Sequence, residues 1–215
     1  MSEVPVLIPV EDGKLNLEGL FREGTIGRNA LICHPLPLYG GNMANNVVVA
    51  AQRAFAQCGW STLRFNFRGV GASGGKPGGE ARDAEDLVAV SEFVKSNHAG
   101  ALDLAGYSYG AWTALAAIRS GLTPASLTLF SPPLDFMSFE GLELPDVPTL
   151  ITIGNQDEFC AVESLRKWLA GQSRAAGRVR LEIIPYCDHF YWEFGAEITS
   201  KLTDFLGKNF PGKPV

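Results

Sequence analysis

Ser108, Asp157 and His189 are the residues whose types and order could carry nucleophilic chemistry. A serine hydroxyl attacks a carbonyl only when a base takes its proton, and that base needs a carboxylate to fix its tautomer. Ser108 stands in Gly106-Tyr107-Ser108-Tyr109-Gly110, directly after the apolar run Leu102-Asp103-Leu104-Ala105. Ala111, Leu115 and Ile118 then recur at helical spacing. The stretch reads as strand, sharp turn and helix, with Ser108 at the apex and its Oγ raised above a sheet. The helix N-terminus behind it favours developing negative charge. Gly71-Ala72-Ser73-Gly74-Gly75 has the same spacing, but Lys76-Pro77-Gly78-Gly79 follows and cannot open a helix at once. Ser73 therefore reads as loop.

In a mostly parallel architecture the base and its carboxylate follow the serine in the order Asp or Glu, then His. The chain has 3 histidines, of which His34 and His98 precede Ser108. His189 is left as the base, in Pro185-Tyr186-Cys187-Asp188-His189-Phe190 just past the last expected strand. Asp135, Asp146, Asp157 and Asp188 lie between the two. Asp188 adjoins the histidine and folds back poorly onto its Nδ1. Asp157 leaves the strand-like run Leu150-Ile151-Thr152-Ile153-Gly154 by a short turn and is the preferred acid, with Asp135 next. The competing reading of Asp157 is a helix N-cap for Val162 to Leu169.

Acyl transfer also needs donors for a tetrahedral oxyanion. The N–H of Tyr109 is one candidate. The other lies in His34-Pro35-Leu36-Pro37-Leu38-Tyr39-Gly40-Gly41, where Pro35 and Pro37 have no N–H and Leu36 does. An ordinary Pro/Gly loop is the competing reading, and His34 is expected to brace this loop rather than move protons. Tyr39, Tyr109, Phe136, Phe159 and Phe190 are candidates for an apolar pocket, or alternatively core.

Elements able to position these groups recur along the chain. Val6 to Val10 and Leu15 to Phe21 flank Glu11-Asp12-Gly13-Lys14, so the chain opens with an antiparallel hairpin. Strands are expected at Ala30 to Cys33, Ser61 to Phe67, Leu127 to Phe130, Thr149 to Ile153 and Val179 to Ile184. Helical periodicity marks Met43 to Cys58 (ending at Gly59), Ala81 to Ser96, Val162 to Leu169 and Ile198 to Leu206. The alternation predicts an α/β fold, a mostly parallel sheet with helices on both faces. Too few residues separate Phe130 from Thr149 for a cap domain, so Ser131 to Met137 reads as a loop lining an open pocket. Phe210 to Val215 reads as a frayed tail.

His34-Pro-Leu-Pro-Leu-Tyr-Gly-Gly, Leu63-Arg-Phe-Asn-Phe-Arg-Gly-Val-Gly-Ala-Ser, Gly106-Tyr-Ser-Tyr-Gly, Gly154-Asn-Gln-Asp157 and Asp188-His189-Phe190 occur in that order. Together they resemble the small cap-less α/β-hydrolases, near the dienelactone-hydrolase-like and X-prolyl-peptidase-like serine esterases, over about Ala30 to Leu206. The resemblance implies an α/β-hydrolase fold, a Ser108–Asp157–His189 triad and a Leu36/Tyr109 oxyanion hole. Dienelactone hydrolases proper use a cysteine nucleophile, so serine at 108 favours carboxylesterase-like chemistry on a small-molecule ester. A thioesterase or small peptidase with the same triad, and a non-catalytic binding protein on the same scaffold, are the alternatives.

Composition narrows the field. With 215 residues, 46% hydrophobic and 19% charged, one globular domain over 1–215 is expected. A net charge of -5 without a basic stripe argues against nucleic acid. No apolar run is long enough for a membrane span and no leader is visible at Met1-Ser2-Glu3-Val4-Pro5, so the expected location is the cytoplasm. The 4 cysteines show no C-x-x-C spacing, which points to reduced, buried thiols rather than a zinc site or disulfides. Cys33, Cys160 and Cys187 sit close in sequence to candidate site residues. Gly69-Val70-Gly71-Ala72-Ser73-Gly74 fits a dinucleotide fingerprint in spacing only, since no helix opens there. The expected chemistry uses no metal and no cofactor, and oligomeric state is not readable.

Overall fold

A computed structural model describes residues 2–175 and 177–211. Its centre is an 8-stranded sheet built from β1 (Val4–Val10), β2 (Leu15–Arg22), β3 (Arg28–Cys33), β4 (Ser61–Phe65), β5 (Ala101–Tyr107), β6 (Ser126–Phe130), β7 (Thr149–Gly154) and β8 (Val179–Ile184). The strands lie in the order β1-β2-β4-β3-β5-β6-β7-β8. β1 with β2 and β2 with β4 run antiparallel, and every other pair is parallel. Among the described residues, four α-helices connect the strands, α1 (Asn46–Gln57), α2 (Gly79–Asn97), α3 (Tyr109–Arg119) and α4 (Val162–Ala170), and α5 (Gly195–Asn209) follows β8.

The interior strands read as continuous apolar runs because both faces are covered. All 5 residues of β6 and all 6 of β7 are buried. On one face α1 and α5 contribute Val47, Phe55, Ile198 and Leu202 to an apolar layer with Ile32 and Leu150. On the other, Leu87 and Val90 of α2, Leu115 of α3 and Leu165 of α4 pack with Leu31, Leu104 and Ile151. Alternate residues of one strand thus serve opposite layers, as the two-residue strand period requires. Among the described residues no helix is long and apolar enough to cross a membrane.

The chain runs from β3 outward to β4 and then returns to β5 on the other side of β3. The carboxyl ends of β3 and β5 therefore flank the point where strand order reverses, the place where such sheets leave a crevice. Cys33 at the end of β3 pairs with Gly106 near the end of β5, so the loop starting at His34 and the turn at Ser108 open side by side.

Several element ends differ from the sequence expectation. The helix expected from Met43 begins at Asn46, because Asn45 caps it by accepting the Val47 N–H at 2.9 Å. β4 stops at Phe65, since Phe67 turns its N–H to the ring of His34 at 3.1 Å. A short 3-10 turn at Pro37–Tyr39 interrupts the loop expected after β3. The expectation of a frayed tail fails at Phe210, whose ring lies 3.9 Å from the Arg28 guanidinium carbon and 6.0 Å from the Trp60 ring. Residues 212–215 of that tail lie outside the described residues.

That aromatic clamp belongs to a buried polar cluster at the amino end of the sheet. Asp103 is fully buried and accepts from Arg28 Nη2 at 2.6 Å, Arg28 Nε at 3.0 Å, Trp60 Nε1 at 2.7 Å and Ser126 Oγ at 2.5 Å. Removing one partner of a buried pair leaves the other uncompensated. Asp103→Ala is expected to destabilise the protein by about 3–5 kcal/mol. A lower urea midpoint with an unchanged slope is the measurement to expect.

Candidate active site

The turn at the end of β5 follows from its glycines. A Cβ on Gly106 would stand 2.2 Å from the Gly110 carbonyl oxygen, and one on Gly110 would stand 2.6 Å from that of Cys33. Only with both side chains absent can α3 start immediately and press against β3. Ser108 takes up the remaining curvature at φ 54 and ψ -118, a conformation that is strained for any residue with a Cβ. Its backbone is tied to β6 by a 2.9 Å bond from Ser108 N to the Phe130 carbonyl. Ser73 in the competing pentapeptide is a loop residue as expected, its hydroxyl donating to the Asn66 carbonyl at 2.7 Å and accepting the Glu18 N–H at 2.9 Å.

Residues 81 positions apart meet at the sheet's carboxyl edge: Ser108 Oγ lies 2.8 Å from His189 Nε2. His189 Nδ1 lies 2.9 Å from both Asp157 Oδ1 and Oδ2. Asp157 Oδ1 also accepts the N–H groups of Phe159 at 2.9 Å and Cys160 at 3.1 Å. A carboxylate facing Nδ1 assigns the ring proton to that nitrogen, which leaves the Nε2 lone pair for the serine hydroxyl. All three side chains are nearly buried, so their bonds act with little competition from water. Asp157 does not cap α4. That helix starts after Ala161 with no side-chain cap, and Asp135, the second choice for the acid, instead accepts the Ala161 N–H at 2.6 Å.

The histidine loop is pinned on several sides. Tyr107 donates its hydroxyl to the His189 carbonyl at 2.8 Å, and Asp188 Oδ1 accepts the Phe190 N–H at 2.9 Å. Asn46 on α1 donates to the Phe190 carbonyl at 2.9 Å. Tyr191 is at φ 55 and bonds its hydroxyl to Ser131 Oγ at 2.8 Å and Thr152 Oγ1 at 3.1 Å. The sequence reading missed Tyr107, Asn46 and Tyr191 as supports, because nothing local marks a tyrosine that bonds across the sheet.

The loop after β3 borders the same cavity. His34 accepts the Phe67 N–H through Nε2 and, with its proton on Nδ1, donates to the Pro35 carbonyl at 2.6 Å. It braces the loop, as expected. Among the described residues no group accepts the Leu36 N–H. Tyr109 is the first residue of α3, where a helix leaves its N–H without an intrahelical partner. Burial pushes His34 down to about 4 from an ordinary 6.5, against the opposing effect of the Pro35 bond. The unfolded chain then binds a proton that the native ring refuses. The stability His34 contributes is therefore present above about pH 6.5 and lost as pH falls towards 4, by roughly 3 kcal/mol. Urea midpoints of wild type and His34→Gln should be furthest apart near pH 7.5 and converge near pH 4.5.

A cavity of about 510 Å³ opens over Ser108 and His189. Tyr39, Phe136, Phe159 and Phe190 line it, together with Met137, from the loop expected to border the pocket, and Trp192, which the sequence reading does not name. The rings form a row, with centroids 6.3 Å apart for Tyr39–Phe136, 5.4 Å for Phe136–Phe159 and 6.2 Å for Phe159–Phe190. Its lining among the described residues includes no Asp, Glu, Lys or Arg. Tyr109 is the exception among the aromatic candidates. It borders the cavity, but its side chain is core, stacked on Trp112 with its hydroxyl on Asp83 at 2.7 Å. Cys33, Cys160 and Cys187 are buried free thiols, and burial pushes Cys160 and Cys187 up to about 12.

No family model matches the chain. Among solved structures it is similar to an alpha-beta serine hydrolase homologue from Coxiella burnetii, 30% identical with a TM-score of 0.87, over 96% of this chain and 98% of that one. It is similar also to XC6422 from Xanthomonas campestris, a serine hydrolase without lid, at 28% identity and a TM-score of 0.89, over 100% of this chain and 98% of the other. The uncharacterized protein RP471 of Rickettsia prowazekii is 29% identical over 184 residues, 82% of this chain and 77% of that protein.

Proposed function

The chain belongs to the α/β serine hydrolases without a lid, and from that we propose that it cleaves uncharged carboxylic esters through an acyl-enzyme. The observation that carries this reading is the continuous hydrogen-bonded path from Ser108 Oγ through His189 to Asp157, at 2.8 and 2.9 Å. Ser108 Oγ attacks the ester carbonyl as His189 Nε2 takes its proton, a transfer worth roughly 10²–10⁴-fold in rate. Asp157 holds the imidazole in its tautomer and stabilises the imidazolium. The N–H groups of Leu36 and Tyr109 receive the oxyanion, each worth about 10²–10³ in kcat. Collapse expels the alcohol, protonated by His189. Water then repeats the sequence on the acyl-serine and releases the acid.

The absence of charge in the described cavity lining supports uncharged substrates, because a carboxylate or ammonium brought there would lose its hydration without a partner. The row of rings from Tyr39 to Phe190 supports a small aromatic or short aliphatic group packed against it. A panel of p-nitrophenyl esters from acetate to palmitate, with benzoate and hemisuccinate, tests this against an acyl thioester and a peptide anilide. Butyrate and benzoate should exceed hemisuccinate and palmitate at least tenfold in kcat/KM. Faster turnover of the thioester or anilide would move the assignment to those classes, and no turnover of any would favour a binding protein.

A further inference from the structure

Two acidic residues one helical turn apart on α2, Asp83 and Asp86, are almost fully buried and have no part in the chemistry above. Carboxylates are seldom placed so deeply without a task for their oxygens. Asp83 reaches the segment that carries one oxyanion donor, and Asp86 reaches the loop after β4 that anchors the segment carrying the other. Asp83 Oδ2 accepts the Tyr109 hydroxyl at 2.7 Å. Asp86 grips Arg68 on two nitrogens, with Oδ2 at 2.6 Å from Nε. Arg68 directly follows Phe67, whose N–H anchors His34, and His34 in turn holds the Pro35 carbonyl beside Leu36.

We propose that α2 is a brace for the oxyanion site, with Asp83 positioning the Tyr109 N–H and Asp86, through Arg68 and His34, positioning the Leu36 N–H. The inference rests on the hydrolase reading above, and the side chains it invokes on α2 and at Arg68 and His34 touch no substrate. Oxyanion stabilisation depends on donors that are already in place when charge develops, and errors of a few tenths of an ångström erode it. Tyr109 has two anchors for this purpose. Its ring is held at 6.0 Å from Phe67 and 6.2 Å from Trp112, and its hydroxyl by Asp83. Burial and the nearby Asp83 raise the Tyr109 phenol well above its ordinary range, so it remains a donor. Burial holds Asp83 up at about 6, with Asp86 raising it and the Tyr109 and Arg68 interactions lowering it. Its Oδ1 has no hydrogen-bond partner among the described residues, where the Tyr109 hydroxyl is the one donor to that carboxylate.

The test separates positioning from folding by counting reactive sites. Wild type, Tyr109→Phe, Asp83→Asn, Asp83→Ala and Arg68→Lys are titrated with a fluorophosphonate, and kcat is expressed per labelled serine. Affinity for a trifluoromethyl ketone, which forms a tetrahedral oxyanion on the serine, is measured beside it. Glu92→Gln on the exposed face of α2 is the control. Tyr109→Phe, Asp83→Ala and Arg68→Lys should each lose about tenfold in kcat per site with KM within twofold, and lose ketone affinity in proportion. Asp83→Asn keeps an acceptor for the tyrosine and should retain activity within about threefold. The brace is refuted if Tyr109→Phe and Arg68→Lys keep wild-type kcat and ketone affinity per labelled site. Absence of labelling in wild type itself would instead refute the hydrolase reading, and this inference with it.

Discussion

Ser108→Ala is expected to lower kcat for a p-nitrophenyl ester by about 10⁵–10⁶-fold while leaving the fold intact. The effect is large because the hydroxyl supplies the attacking atom, and among the described residues its hydrogen-bond partner is His189 Nε2 at 2.8 Å. Alanine leaves the imidazole in place, since Asp157 still holds Nδ1. KM should move little if, as proposed, the substrate is bound by the aromatic row rather than by the hydroxyl. Ser108→Gly should be as inactive and, unlike alanine, more stable than wild type by about 1 kcal/mol. Glycine relieves the strain of φ 54, which costs a residue with a Cβ roughly 1–3 kcal/mol, while giving back part of that as chain entropy. Kinetics with thermal melts of both variants checks the pair, and appreciable turnover by either would exclude Ser108 as the nucleophile.

Asp157→Asn is expected to cost about 10⁴-fold in kcat with almost no change in geometry. The orientation of the new amide is determined by its neighbours. Oδ1 is held by the N–H groups of Phe159 and Cys160, so the oxygen of the asparagine stays there. Its NH₂ then faces His189 Nδ1 and forces that nitrogen to be the acceptor. The ring proton moves to Nε2, where it faces the serine and cannot accept the hydroxyl proton. Asp135→Asn is the informative comparison, because among the described residues the Asp135 carboxylate accepts the Ala161 N–H and not the histidine. Its kcat should stay within about threefold of wild type. Equal losses in the two variants, measured as kcat per labelled serine, would contradict the assigned roles.

The sequence conveyed these partners because each is tied to a local signal. Ser108 sits between glycines that a close helix start demands, Asp157 follows a strand by a short turn, and His189 is the one histidine downstream of the serine. The parallel order was legible for a related reason, as strands buried on both faces lose their alternation and stand out as apolar runs such as β6 and β7. Contacts between distant segments left no such trace. Phe210 reads from sequence as the start of a frayed tail, yet its position is decided by Arg28 and Trp60, far away in sequence. For Tyr109 the sequence leaves pocket and core as alternatives. Its ring turns into the core because Asp83 on another helix offers an acceptor there. Trp192 lies three residues beyond His189 but carries no periodicity that would separate a rim residue from core.

The most direct test of the central claim is the site of covalent capture. A fluorophosphonate reacts with a serine only where a base removes its proton and donors receive the oxygen that develops charge. Incubation of the folded protein, followed by intact mass and peptide mapping, should give a single adduct on Ser108, with Ser73 unmodified. The Asp157→Asn variant should label orders of magnitude more slowly. A folded protein that gains no adduct, or gains it at another residue, would contradict the account.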